Sequence, residues 1–110
     1  MKSKNRLKEL FTELFIISAG VFAMALFYRH NIILTFLLAA GSAFEIFLWH
    51  SRKDILVFAV AAVIGPMAEI LNIYFGNWNY SNPSFFGIPM WLPFVWGISM
   101  LTIKRIGETL

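Results

Sequence analysis

The chain has 110 residues, 59% hydrophobic and only 14% charged, with a formal charge of +3 and no cysteine. Soluble domains hold roughly 25% charged residues, and a chain this short buries too small a share of its surface to hide so much apolar area, which argues against an ordinary water-soluble fold. The lack of cysteine excludes a disulfide framework and thiol chemistry. Two histidines, His30 and His50, both at predicted helix ends, make no metal cluster, so neither a metal nor another cofactor is expected. The basic surplus flanks apolar runs, so membrane topology accounts for it and no nucleic-acid partner is expected.

The first apolar run is Leu10–Tyr28, preceded by Lys2, Lys4, Arg6 and Lys8. At about 1.5 Å per residue it can cross a hydrocarbon core of roughly 30 Å as a helix. Ala23-Met24-Ala25 imitates a signal-peptide cleavage site, but the apolar run continues through Leu26, Phe27 and Tyr28, which favours a retained span. Glu13 lies about 4–5 Å into this run by helical rise, where it can reach the interface or pair with a nearby lysine, and it reads as an interfacial residue. A short link, Arg29–Asn31, leads to the second run, Ile32–Trp49. Its small residues Ala39, Ala40, Gly41, Ser42 and Ala43 predict close helix packing. Glu45, roughly 6 Å from the inner end, either pairs with Arg52 or Lys53 or belongs to a substrate site.

The link His50–Asp54 opens the third run, Ile55–Phe75. Pro66 there removes the helical donor to the Ala62 carbonyl and predicts a kink. The loop Gly76–Ser84 joins it to the fourth run, Phe85–Ile103. Pro89 lies near that run's start, where proline is tolerated, and Pro93 one turn deeper predicts a second bend. Two bent helices joined by the loop predict a pocket toward the outer side. Tyr74, Trp78, Tyr80, Phe85, Phe86 and Trp91 cluster at the outer boundary as an interfacial aromatic belt. Trp96 falls near mid-bilayer, where its indole N–H needs a partner.

These elements predict an all-α fold: one transmembrane domain over residues 1–110, a four-helix bundle with kinked third and fourth helices. An even number of crossings puts eight of the nine basic residues on one face and Arg29 alone on the other, so both termini are expected in the cytoplasm of a multi-pass plasma (inner) membrane protein.

Charges inside spans are costly, and each needs a reason. Glu69 lies roughly 9 Å from the outer end of its span, deeper than a residue that merely reaches the interface. A carboxyl held there can serve as a general acid, and Asn72 at i+3 shares its helix face and is expected to orient it. The bland alternative is a polar pair that glues helices together. Glu45 and Glu69 differ in predicted depth by about 13 Å, which argues against a two-carboxylate centre.

The stretch Glu69, Phe75-Gly76-Asn77-Trp78-Asn79-Tyr80, Gly87-Ile88-Pro89-Met90-Trp91-Leu92-Pro93 and Trp96 resembles the carotenoid-biosynthesis membrane protein family that includes bisanhydrobacterioruberin hydratase. That family carries a membrane glutamate, a Phe-Gly-aromatic-x-Tyr loop and a Gly-Val-Pro-x-x-x-Pro helix start. Its members are longer, and Trp78 here stands where the family's loop has a tyrosine. The resemblance implies a polyprenyl or carotenoid substrate and acid-initiated hydration or cyclisation at a terminal double bond. It implies Glu69 as proton donor, with Asn72, Trp78 and Tyr80 lining the reacting end; Glu45, Trp91 and Trp96 complete the candidate substrate contacts. No separate cofactor is implied.

Two other classes fit the same sequence. A small transporter or channel subunit of this length has a membrane glutamate in its first span, a role Glu13 can fill. A non-catalytic accessory subunit needs only packing glycines and an aromatic belt. Membrane lipid is a partner in every case, and a homo-oligomer or a larger membrane partner fits all three.

Overall fold

The computed structural model describes residues 2–110, with side chains from residue 5 onward. Four helices follow one another: α1 Lys2–Phe27, α2 Asn31–Leu48, α3 Arg52–Tyr74 and α4 Leu92–Thr109. The described residues form no strand beyond an isolated antiparallel bridge between Phe85 and Ile88. Three helices, α1 from Asn5, α2 and α3, are long and apolar enough to cross a membrane. The molecule is 49 Å in its longest dimension, more than the roughly 30 Å of a hydrocarbon core. Phe11, Phe22, Phe36 and Phe47 point outward, Phe47 being 78% exposed. Exposed apolar surface of this kind is a liability in water.

The fourth helix is the hub. α4 packs against α1, α2 and α3, and α1 also packs against α2. It carries Lys104, Arg105 and Glu108 in its last turns. The first three helices therefore supply the apolar exterior, while α4 gathers their polar groups.

Local chemistry sets the boundaries. The Ser51 hydroxyl caps α3 by accepting from the Asp54 N–H at 3.1 Å. At its other end α3 closes in a Schellman arrangement, the N–H groups of Asn77 and Gly76 donating to the carbonyls of Asn72 and Ile73, each at 3.0 Å. Pro66 lies buried inside α3, which stays helical on both sides of it.

The fourth element departs from the predicted run 85–103, because its helix begins only at Leu92. Phe85 and Ile88 exchange backbone hydrogen bonds of 2.9 and 3.1 Å around Phe86 and Gly87, whose φ angles are 48° and 83°. Two positive φ values make this a type I′ hairpin turn, which glycine tolerates and phenylalanine adopts at a cost. Pro89 follows and removes another backbone donor. Pro93 is then the second residue of α4, where no intrahelical donor is needed, so it starts the helix and does not bend it.

This segment is part of the core. Ile88 and Trp91 are buried with Leu34 and Leu38 of α2 and Leu92 and Ile98 of α4. Trp91 is 5% exposed and does not belong to the expected interfacial belt, whereas Tyr74 and Phe86, at 81% and 77%, can. Its indole N–H donates to Asn31 Oδ1 at 3.1 Å. The Asn31 amide in turn donates to the Asn82 carbonyl at 2.8 Å, and the Asn82 amide to the Tyr28 carbonyl at 3.0 Å. Asn31→Ala is expected to orphan the buried Trp91 N–H and free the loop, costing about 1–3 kcal/mol. Denaturant titration in detergent, with proteolysis between residues 76 and 91 as a second readout, checks this.

The closest helix approach lies between α3 and α4, not along the small residues of α2. A Cβ on Gly65 would fall 2.1 Å from Trp96 Cδ2, and one on Gly97 would fall 2.6 Å from Phe58 Cζ. A Cβ on Gly41 would meet Ile98 at an ordinary 3.8 Å. Ala40 and Ala43 are exposed.

Candidate functional site

Two polar clusters occupy opposite ends of the bundle. The first, at the loop end, is built on Glu69. One carboxylate oxygen, Oε2, accepts from the Trp96 indole N–H at 2.6 Å. The other, Oε1, accepts from the Tyr80 hydroxyl. Tyr80 meets the Trp91 ring edge to face, with centroids 6.3 Å apart. Each partner is delivered by a different device. Gly65 leaves room on α3 for the Trp96 ring, and the chain reversal after α3 returns Tyr80 toward the helix it has just left. Burial, then the hydrogen bond to Glu69, push the Tyr80 hydroxyl above its ordinary value. Tyr80 therefore stays protonated and remains a donor.

The sequence-predicted residues divide accordingly. Glu69, Tyr80 and Trp96 come together, and Trp91 packs behind Tyr80. The partner that the Trp96 indole requires is thus Glu69. Asn72 does not orient the carboxyl. Its amide donates to the Ala68 carbonyl at 2.9 Å and its Oδ1 accepts from Asn77 at 2.7 Å. Trp78 is 47% exposed and is not one of the hydrogen-bond donors to Glu69, which are Tyr80 and Trp96. Glu45 belongs to the other end of the bundle.

That second cluster gathers the remaining carboxylates on α4. Glu45 is fully buried and accepts from the Thr102 hydroxyl at 2.5 Å, in place of the expected pairing with Arg52 or Lys53. Glu13 is also fully buried, with Oε2 2.7 Å from the Thr109 hydroxyl, a partner on α4 where a nearby lysine was the alternative expected. Asp54, 1% exposed, binds Lys104 at 2.7 Å and Arg105 at 3.1 Å. The hydrogen bond to Asp54 pushes the Lys104 ammonium above its ordinary value. Arg105 also reaches Glu9 at 3.5 Å and stands over the Trp49 ring, 4.8 Å from its centroid. A cavity of about 830 Å³ opens here, lined by Arg6, Glu9, Thr12, Trp49, Asp54 and Arg105 among others. This cavity lies at the basic end, whereas the sequence predicted a pocket between the third and fourth elements on the loop side.

Sequence reasoning missed Asn31, Asp54 and the α4 hydroxyls. Asp54 carried a signal: Ser51-Arg52-Lys53-Asp54 has the Ser-x-x-acid spacing of a helix start. Thr102 and Thr109 carried none, because a threonine in a helix usually bonds its own backbone. Among the described residues no three His, Asp or Glu side chains assemble as a metal site.

The fold and these clusters define a class: an all-α protein with three helices long and apolar enough to cross a membrane, whose carboxylates converge on a fourth. No protein-family model, curated protein or solved structure matches the chain.

Proposed function

We propose that this is a four-span protein of the inner (plasma) membrane that acts on a polyprenyl or carotenoid chain, with Glu69 transferring a proton to a terminal double bond. The observation that carries this reading is the clasp on Glu69. Three residues singled out by the resemblance, far apart in sequence, meet at one carboxyl group. When the Glu69 carboxyl gives its proton to the alkene carbon, the electron pair of that O–H bond stays on the carboxylate. Tyr80 and Trp96 already aim donors at the oxygens where the charge develops, so little reorganisation is needed. The tertiary cation left on the substrate is stabilised by the aromatic faces around it. Water adds to the cation and returns a proton to Glu69, giving a tertiary alcohol and regenerating the acid. In a cyclisation a second double bond adds instead, and the proton is lost from the ring.

The test is incubation of the reconstituted protein with linear polyenes in water carrying heavy oxygen, followed by mass spectrometry of the extracted lipid. A tertiary alcohol bearing one labelled oxygen, or a cyclic isomer of unchanged mass, is expected. Recovery of unaltered polyene across linear carotenoids and shorter polyprenyls would count against the reading.

The cavity at the basic end favours transport as a second reading. Its lining is charged, with Arg6, Glu9, Asp54 and Arg105, and the loop at the opposite end of the bundle is packed into the core. A transporter of that type would move its solute with no change to the polyene.

A further inference from the structure

Lys8 stands on a seam between two kinds of surface. On one side of it α1 presents Leu7, Phe11 and Leu14 at the i, i+4, i+7 spacing of a single helix face, and with Lys8 they line an open apolar groove of about 600 Å³. On the other side Lys8 lines the charged cavity of about 830 Å³ at the basic end, a volume within the roughly 300–1,000 Å³ of small-ligand sites. A charged chamber that shares a wall with an apolar groove has the form of an amphiphile. We propose that the two together hold one phospholipid with a zwitterionic headgroup ending in a primary ammonium. Its phosphate rests on Arg6 and Lys8, its ammonium on Glu9, and one acyl chain along Leu7, Phe11 and Leu14.

Charge selects this headgroup. The cavity lining sets three cations, Arg6, Lys8 and Arg105, against three carboxylates, Glu9, Asp54 and Glu108, so its formal charge is balanced. A balanced lining suits a zwitterion and gives little to a ligand that is only anionic. The charges are not equally committed. Asp54 is matched by Lys104 and Arg105, and Glu108 by Lys104. Arg6 and Lys8 form no ion pair with any described residue. Glu9 has a single ion pair, 3.5 Å long, to an Arg105 that stands closer to Asp54 at 3.1 Å. Arg6 and Glu9 are helical neighbours at i and i+3, with Cβ atoms about 5–6 Å apart, yet they do not pair with each other. A headgroup whose phosphate and ammonium are joined by two carbons bridges such a pair. Among the described residues Trp49 is the one Phe, Tyr or Trp ring lining the cavity, and its face already carries the Arg105 guanidinium, 4.8 Å from the centroid. The aromatic cage that a quaternary ammonium prefers is therefore not there, whereas a primary ammonium finds a carboxylate to donate to. The proposal rests on the membrane placement given above and not on the chemistry of Glu69. A cavity filled by a resident lipid is no solute path, so it competes with the transport reading.

Native mass spectrometry of the full chain, stripped of lipid in detergent, tests the proposal. The probes are dioleoyl phosphatidylethanolamine, phosphatidylcholine and phosphatidylglycerol, which share their acyl chains and differ in the headgroup. One phosphatidylethanolamine per chain should be retained, roughly tenfold more tightly than phosphatidylcholine, the equivalent of one charge-assisted hydrogen bond. Glu9→Gln should erase that preference while phosphatidylethanolamine still binds. Arg6→Gln with Lys8→Gln should weaken retention of all three lipids, and Phe11→Ala should do the same through the acyl chain. Helical content measured on each variant shows that the chain is folded. Phosphatidylglycerol bound as tightly as phosphatidylethanolamine or more so, the mark of a merely basic surface, would overturn the proposal. So would equal retention of phosphatidylethanolamine and phosphatidylcholine, a preference that survives Glu9→Gln, or a folded wild-type chain that retains none of the three. Polyene turnover is not read in any arm, so each of these outcomes leaves the role of Glu69 to its own test.

Discussion

Glu69→Gln is expected to reduce turnover of a polyene by about 10²-fold or more while leaving the helices assembled. The amide has nearly the shape of the carboxyl but carries no acidic proton. It keeps one oxygen that accepts, so either Tyr80 or Trp96 retains its partner. The other faces an NH₂ group, and the orphaned donor costs about 1–3 kcal/mol. Tyr80→Phe gives the complementary result. The acid stays, one of two donors to the developing carboxylate is lost, and turnover should fall by about 10²-fold. A residue serving only as glue gives a different pattern, in which both substitutions lower stability and any turnover follows the folded fraction. Rates per folded molecule, with helical content measured on the same samples, separate the two. Unchanged polyene turnover in Glu69→Gln would remove Glu69 from the chemistry.

Gly65→Ala is the second large effect. The added Cβ would lie 2.1, 2.3 and 2.6 Å from Trp96 Cδ2, Cγ and Cε2, so it meets the ring itself. An indole has no flexible end that can swing aside. Either α3 and α4 separate or Trp96 leaves its place and drops its bond to Glu69. Overpacking of this kind costs about 1–3 kcal/mol and occasionally more. The better helix propensity of alanine offsets about 1 kcal/mol of that. Unfolding titrations in detergent should therefore show a net loss of stability, with a matching loss of any activity that needs the Glu69 clasp. Gly41→Ala is the control, because its Cβ meets Ile98 at ordinary contact distance and the substitution should be neutral or mildly stabilising. Equal stability in the two variants would show that α3 and α4 adjust at Gly65 more freely than their packing indicates.

Glu69 and Trp96 were legible as a problem before they were legible as a pair. A carboxyl and an indole deep in apolar runs each need a partner, and sequence shows the need without the match. Asn72 shows the opposite case. Its i+3 spacing put it on the face of Glu69, yet its amide N–H donates to the Ala68 carbonyl of its own helix, and the Schellman turn after α3 brings the Asn77 amide to its Oδ1. Helical spacing counts side-chain neighbours on one helix; it leaves out that helix's own carbonyls and a donor that the turn brings from outside. The start of the fourth helix was misjudged for a related reason. Residues 85–91 are apolar enough to read as membrane span, but the Phe86-Gly87 turn and Pro89 forbid a helix there. Hydropathy averages over a window, whereas a backbone reversal depends on one or two φ angles.

Composition and run length by themselves determined that this is an all-helical chain with several helices long and apolar enough for lipid, because solvation by lipid depends on summed apolar area and not on arrangement. Tertiary structure alone decided that α4 is the hub, that Glu13 and Glu45 rest on its threonines, and that Tyr80 and Trp96 close on Glu69. A hydrogen bond depends on two groups arriving within about 3 Å in the right orientation. Residues 27 or 96 positions apart acquire that relation only once the helices have packed.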